Sequence, residues 1–82
     1  MKTNLSVQGK ASKLTQKERL QRIITGGRFW TLFEIQRECL MRFDSHDSET
    51  ALSARWRELP TDKRVKRIRE GTSNTYEYRL VG

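Results

Sequence analysis

Apolar residues are grouped along this chain, and their spacing changes once, near residue 63. Leu20, Ile23 and Ile24 fall on one side of a helix. They are preceded by Thr15-Gln16-Lys17-Glu18, in which the first and fourth side chains can each satisfy a free N–H at a helix start. Gly26-Gly27 supplies a stop, because glycine accepts the left-handed conformation of a C-cap. The pattern predicts a first helix over 16–25. Phe29-Trp30 reads as a stub of extended chain joining a small sheet. Thr31-Leu32-Phe33-Glu34 repeats the capping pattern, and Leu32, Ile35 and Cys39 continue one face, with Leu40 and Phe43 nearby. A second helix is therefore expected over 32–42. The polar segment Asp44-Ser45-His46-Asp47-Ser48 offers several N-caps for a third helix over 48–58, which Pro60 helps to stop. Leu52, Trp56 and Leu59 sit at i, i+4 and i+7 and form its buried seam, so Trp56 is expected in the core. Thr50, Ser53, Ala54 and Arg57 make a second face of small and polar groups.

Beyond residue 63 the helical period gives way to alternation. Residues 64–69 are rich in charge and β-branched side chains, residues 75–81 alternate, and Glu70-Gly71-Thr72-Ser73-Asn74 is turn chemistry. The chain is expected to end in a β-hairpin. With a loop over 71–74, Val65 faces Leu80, Arg67 faces Tyr78 and Arg69 faces Tyr76, a face apolar at the base and cation-over-aromatic near the tip.

Size and charge narrow what such a body does. Its 82 residues suffice for one domain, and a chain of this length buries only about 60% of its unfolded surface. Charged residues make up 33% and hydrophobic residues 34%, but the apolar groups are periodic. A folded unit over 14–82 is expected, preceded by a flexible basic arm over 1–13 that carries Lys2, Lys10 and Lys13; an unstructured terminus without a role is the plainer alternative. The net charge is +7, from 17 Lys and Arg against 10 Asp and Glu, and such an excess favours polyanionic partners, nucleic acid first and a membrane surface second. No run approaches the roughly 20 apolar residues that span a bilayer. The start lacks a signal-peptide core and a single cysteine has no intrachain partner, so a cytoplasmic location is expected.

Chemistry finds little support. His46 and Cys39 are each the sole residue of their type, too few for a zinc site of three or four ligands. There is no glycine-rich phosphate loop and no Ser-His-Asp or paired-carboxylate set. No cofactor and no enzymatic activity are expected.

The expected order is helix, short strand, helix, turn, helix, then a hairpin with a basic tip. With Thr31-Leu32-Phe33-Glu34-Ile35 opening the second helix, Ser53-Ala54-Arg55-Trp56-Arg57-Glu58-Leu59 closing the third, and the hairpin halves Arg64-Val65-Lys66-Arg67-Ile68-Arg69 and Tyr76-Glu77-Tyr78-Arg79-Leu80, the chain resembles the winged helix-turn-helix superfamily over residues 15–81. The implied fold is α+β, three helices with a small antiparallel sheet and a C-terminal hairpin wing. The spacing from Ile35 to Leu59 exceeds the usual one by several residues, so either the second helix is extended or a loop surrounds Phe43 to Asp47. The resemblance implies sequence-specific binding of double-stranded DNA, with a regulatory role in transcription, recombination or replication, in a phage or bacterium. The third helix would enter the major groove through Thr50, Ser53, Ala54 and Arg57, and the wing would meet phosphates through Lys63, Arg64, Lys66, Arg67 and Arg69. Five of the seven residues from Lys63 to Arg69 are basic.

Each feature has a plainer reading. Charge runs are usually solvated, and Lys and Arg on a hairpin also discourage edge-to-edge aggregation. Tyr76 and Tyr78 can simply close the sheet. Asp44, Asp47 and Glu49 place negative charge beside the proposed reading helix, although acids there also suit its dipole. A protein-interaction module without DNA binding is the alternative function, and RNA binding through the hairpin a third. The test between them is where the charges fall: one shared basic face favours DNA, and a face broken by those acids favours a protein partner. With no apolar helical face to spare, a monomer is expected.

Overall fold

A computed structural model describes residues 14–82. The expected basic arm lies outside the described residues. Among them are three α-helices, α1 (Gln16–Ile24), α2 (Leu32–Phe43) and α3 (Glu49–Trp56), then a short 3-10 turn (Thr61–Lys63) and two strands, β1 (Arg64–Ile68) and β2 (Tyr76–Leu80). The class is α+β, three helices with a two-stranded antiparallel sheet.

Both capping boxes form as the sequence predicts. The Glu18 N–H donates to Thr15 Oγ1 at 3.1 Å and the Thr15 N–H to Glu18 Oε1 at 2.8 Å. Glu34 and Thr31 repeat this at 3.1 and 3.0 Å. Of the caps offered for α3, Ser48 is the one used, accepting from the Ala51 N–H at 3.1 Å. The end of α1 differs from expectation. Thr25 turns extended and returns its hydroxyl to the Gln21 carbonyl, so the helix stops one residue before the glycines. Gly26 then takes φ 138°, a conformation open to glycine but not to side chains, and redirects the chain toward the sheet.

The long link between α2 and α3 is chiefly a loop, the second of the two anticipated solutions, since the helix ends one residue past the expected 42. α2 runs to Phe43, and a loop of residues 44–48 follows. Asp44 closes α2 in the left-handed region at φ 52°, which aspartate tolerates better than most residues. Its N–H and that of Ser45 cap the Leu40 and Cys39 carbonyls. The loop is then pinned to α1. Arg19 grips Asp47 with two hydrogen bonds, 2.7 and 3.1 Å, and Gln16 adds a third at 2.8 Å. Asp47 is thus buried and paired, and does not burden the outer face of α3 as the sequence suggested.

All three apolar stripes converge on one core. Leu20, Ile23 and Ile24 of α1, Ile35 and Cys39 of α2, and Leu52, Trp56 and Leu59 of α3 and its exit are buried with Trp30, Tyr78 and Leu80. Trp56 stands edge-on to Tyr78 with ring centroids 4.9 Å apart. Burial pushes the Cys39 thiol up to about 12, with the Asp47 carboxylate adding to it, so this cysteine is a packing group. The Phe29-Trp30 stub joins the sheet as expected, since Trp30 and Tyr78 exchange backbone hydrogen bonds of 2.9 and 2.7 Å. β2 is therefore flanked by Trp30 on one side and β1 on the other.

The hairpin register is one residue from the expected one. Arg64 faces Leu80, Lys66 faces Tyr78, Arg67 faces Glu77 and Ile68 faces Tyr76. The cause is a loop of five residues, 70–74, not four. The Arg69 N–H donates to the Thr75 carbonyl at 2.7 Å, and Gly71 at φ 86° lets the Thr72 N–H turn back to Arg69. A one-residue slip exchanges the faces of a strand. Arg67 and Arg69 consequently lie on the side of Glu77, and Lys66 takes the place over the tyrosines.

Two outcomes test this packing. Trp56→Ala removes a large buried side chain, and a loss of about 3 to 5 kcal/mol is expected, enough to unfold most of a small domain in a thermal melt. Asp47 sets an acid limit. Burial opposes its charge, but hydrogen bonds from Arg19 and Gln16 outweigh that, and its carboxyl is held down at about 2. A lowered carboxyl stabilises the fold above its unfolded pKa and ceases to do so as pH falls through the folded value. About 2 kcal/mol should therefore disappear between about pH 4 and pH 2. Asp47→Asn should remove that segment of the pH–stability curve while lowering stability at neutral pH.

Candidate nucleic-acid interface

A concave surface runs between the outward face of α3 and the adjoining side of the hairpin. One end, an open cleft of about 380 Å³, is lined by Ser53, Trp56, Arg57, Thr61, Arg64, Lys66 and Tyr78. It continues along α3 past Leu32, Glu49, Thr50, Ser53, Ala54 and Arg57. Beyond that, Phe33, Asn74, Thr75 and Tyr76 border a further hollow with Glu49 and Tyr78. The long loop and the Asp47 anchor hold α3 in place, and the Trp56–Tyr78 contact holds the hairpin beside it.

Cations gather at the end of this groove nearest the C-terminus of α3. Arg57 is the C-cap residue of the helix and is exposed. Arg64 opens β1, donates to the Trp56 carbonyl at 3.3 Å and lies over the Trp56 ring at 5.6 Å. Lys66, exposed, has its Nζ 4.3 Å from the Tyr76 ring centre and 5.9 Å from that of Tyr78. Among the described residues none of these three forms a salt bridge with a carboxylate. The opposite end of the groove carries Glu49 and apolar groups, so the groove is electrostatically polarised along α3. Burial pushes the Tyr78 hydroxyl above the usual phenol range, and it stays neutral at physiological pH.

Of the residues singled out in the sequence, Ser53, Arg57, Arg64 and Lys66 meet in the basic cleft, while Thr50 and Ala54 line its continuation. Lys63 is exposed in the turn before β1 and lines none of these hollows. Arg67 and Arg69 point to the other face of the hairpin, and both are engaged. Arg67 donates to Glu77 Oε2 at 2.7 Å and its guanidinium covers the Phe29 ring at 3.7 Å. Arg69 donates to Glu77 Oε1 at 2.7 Å and reaches Glu34 with two bonds of 2.9 and 3.0 Å. Hydrogen bonds from Arg69 hold the Glu34 carboxyl below the usual carboxylate range, and those from Arg67 and Arg69 do the same for Glu77.

Glu34 therefore has two duties, capping α2 and tying the hairpin to it. Thr61 and Tyr78 also line the cleft and were not singled out as interface residues. Nothing in the local pattern marks Thr61, and Tyr78 has a sufficient role in the core.

No family model, curated protein or solved structure matches this chain. Among the described residues no group of three or more His, Cys, Asp or Glu could hold a metal ion, and no helix is long and apolar enough to cross a membrane.

The hairpin tie can be measured by a double-mutant cycle on Glu34 and Arg69. Glu34→Gln keeps the capping box but not the charge. Both groups are partly exposed, so a coupling of about 0.5 to 1 kcal/mol in denaturant unfolding is expected. Amide exchange of the Tyr76–Leu80 strand should speed up in the same variants.

Proposed function

We propose that this chain is a winged helix-turn-helix protein that binds double-stranded DNA in a sequence-specific manner, as a small regulator of transcription, recombination or replication. The observation that carries this reading is the convergence of Arg57, Arg64 and Lys66, three cations with no salt bridge among the described residues, on one groove between a helix face of small polar residues and a hairpin. A phosphodiester chain presents the negative charge that such a cleft attracts, and release of condensed counterions would supply much of the affinity. Thr50, Ser53 and Ala54 keep the α3 surface low, which allows close approach to a groove floor. In this reading Lys66 and Arg64 neutralise phosphates, and Arg57 and Ser53 reach base edges. Arg67 and Arg69 act on the hairpin's posture through Glu77 and Glu34, not on phosphate.

The distribution of charge bears on the rival reading, a protein-interaction module. Asp47 is withdrawn into the body and Asp44 caps α2, which leaves Glu49 as the acid bordering the groove. The basic end is unbroken by them.

Fluorescence anisotropy with labelled duplexes separates the roles. Lys66→Ala should weaken binding to every duplex and reduce the slope of log K against log salt by roughly 0.9. Arg57→Ala should instead remove about 1 to 3 kcal/mol of discrimination between a selected site and a scrambled one at fixed salt. A parent protein with no salt-dependent affinity for duplex DNA, or a Lys66→Ala slope equal to the parent's, would overturn the proposal.

A further inference from the structure

The expectation of a monomer rested on there being no spare apolar helical face, and α2 has one. Phe33, Leu40 and Met41 are 57%, 43% and 70% exposed. They stand at i, i+7 and i+8, so they share one side of the helix, opposite the buried Ile35 and Cys39. Single exposed apolar side chains are ordinary on a protein surface, but a stripe on one helix marks a place where something docks.

The charges around the stripe show what fits. Arg37 lies within it and Asp44 at its end, and neither forms a salt bridge among the described residues. On the flank, Glu38 and Arg42 neutralise each other at 2.6 Å. The face is therefore electrically balanced on a chain whose net charge is +7. Beside Leu40 there is also a hollow, bordered by Arg37 and by the 45–48 loop, including Asp47, whose charge Arg19 already pairs. A surface that carries a knob, a hollow, a cation and an anion can be complementary to itself.

We propose that this face binds a second copy of the chain, as an antiparallel pair of α2 helices related by a twofold axis between Leu40 and Met41. Leu40 then packs on the partner's Met41, and Arg37 faces the partner's Asp44. Phe33, displaced from the axis by about 11 Å at the rise of an α-helix, falls over the partner's 44–48 loop and its hollow. Twofold symmetry repeats every contact, so one good fit counts twice. An antiparallel pair centred on Arg37 would instead stack two like charges, which selects against that register. The dimer does not depend on the DNA reading. Only its consequence rests on that reading, namely a target of two inverted half-sites.

Sedimentation of the full chain without nucleic acid, from micromolar to millimolar concentration, tests the interface. The parent should show a reversible monomer–dimer equilibrium. Leu40→Lys combined with Met41→Lys should raise the dissociation constant by about 30-fold or more, as loss of a central anchor does. Both positions are exposed in the monomer and lysine is a good helix former, so the thermal melt of the monomer should persist. Arg37→Glu, which sets an acid against the partner's Asp44, should weaken the dimer further than Arg37→Gln. A parent monomeric throughout would mean that another protein, or nothing, covers the face, and would overturn the proposal. So would a dimer indifferent to the double lysine variant. A monomeric variant that still binds random duplex, or a dimeric parent that binds none, bears on the DNA reading alone.

Discussion

Tyr78 exchanges both backbone hydrogen bonds with Trp30 while its ring stands edge-on to Trp56, and Lys66 lies across the strand from it. Through that one residue the chain entering α2, the end of α3 and the hairpin are held to each other. A two-stranded hairpin alone is marginal in water. Here its inner strand is completed by Trp30 and its base is buried among helix side chains, so the hairpin has the stability of the core. Tyr78 also fixes which way every other hairpin residue points, because side chains alternate along a strand. With Tyr78 and Leu80 inward, Arg64 and Lys66 turn toward α3, and Glu77 turns to the other face.

That parity divides the basic residues of the hairpin into two groups with different physics. On one face Glu77 and Glu34 draw in Arg67 and Arg69. These bonds set the angle of the hairpin against α2 and bind Arg67 and Arg69 to carboxylates, while Arg79 on the same face donates to the Gly26 carbonyl. On the other face Arg64 and Lys66 form no salt bridge among the described residues. A run of five basic residues in seven is thus part scaffold and part candidate interface, and charge counting cannot separate the two. The withdrawal of Asp47 works in the same direction. Its burial is possible because Arg19 and Gln16 supply three hydrogen bonds, which compensate for the loss of water around a carboxylate. The pair also fixes the long loop, and so fixes where α3 begins.

The two proposed surfaces fall on different sides of α2 and α3. The groove uses the outward face of α3 with the hairpin, and the apolar stripe uses the outer face of α2. None of the residues lining the basic cleft, Ser53, Trp56, Arg57, Thr61, Arg64, Lys66 and Tyr78, belongs to α2. Phe33 borders the two regions, since it also edges the hollow beside Tyr76 and Asn74. Nucleic acid and a second copy would therefore meet near that residue, which gives the two binding events a physical point of contact.

Much of the local architecture was legible from the chain alone. Thr15 with Glu18, Thr31 with Glu34, and the 3.6-residue spacing of Leu20, Ile23, Ile24, Ile35, Cys39, Leu52 and Trp56 determine where helices start and which faces they bury, because caps and periodicity act within a few residues. The turn chemistry around Gly71 determined that a hairpin forms. Its register was decided by tertiary structure. Four- and five-residue loops are close in local energy, and the choice fell to long-range contacts, Tyr78 on Trp56 and Glu34 on Arg69, which sequence spacing does not encode. The same reason hid the burial of Asp47, whose partners lie 28 and 31 residues away. Sequence determined which residues are cationic, but only the packed structure decided which cations meet an acid and which remain free, because Coulomb pairing depends on distance in space and not along the chain.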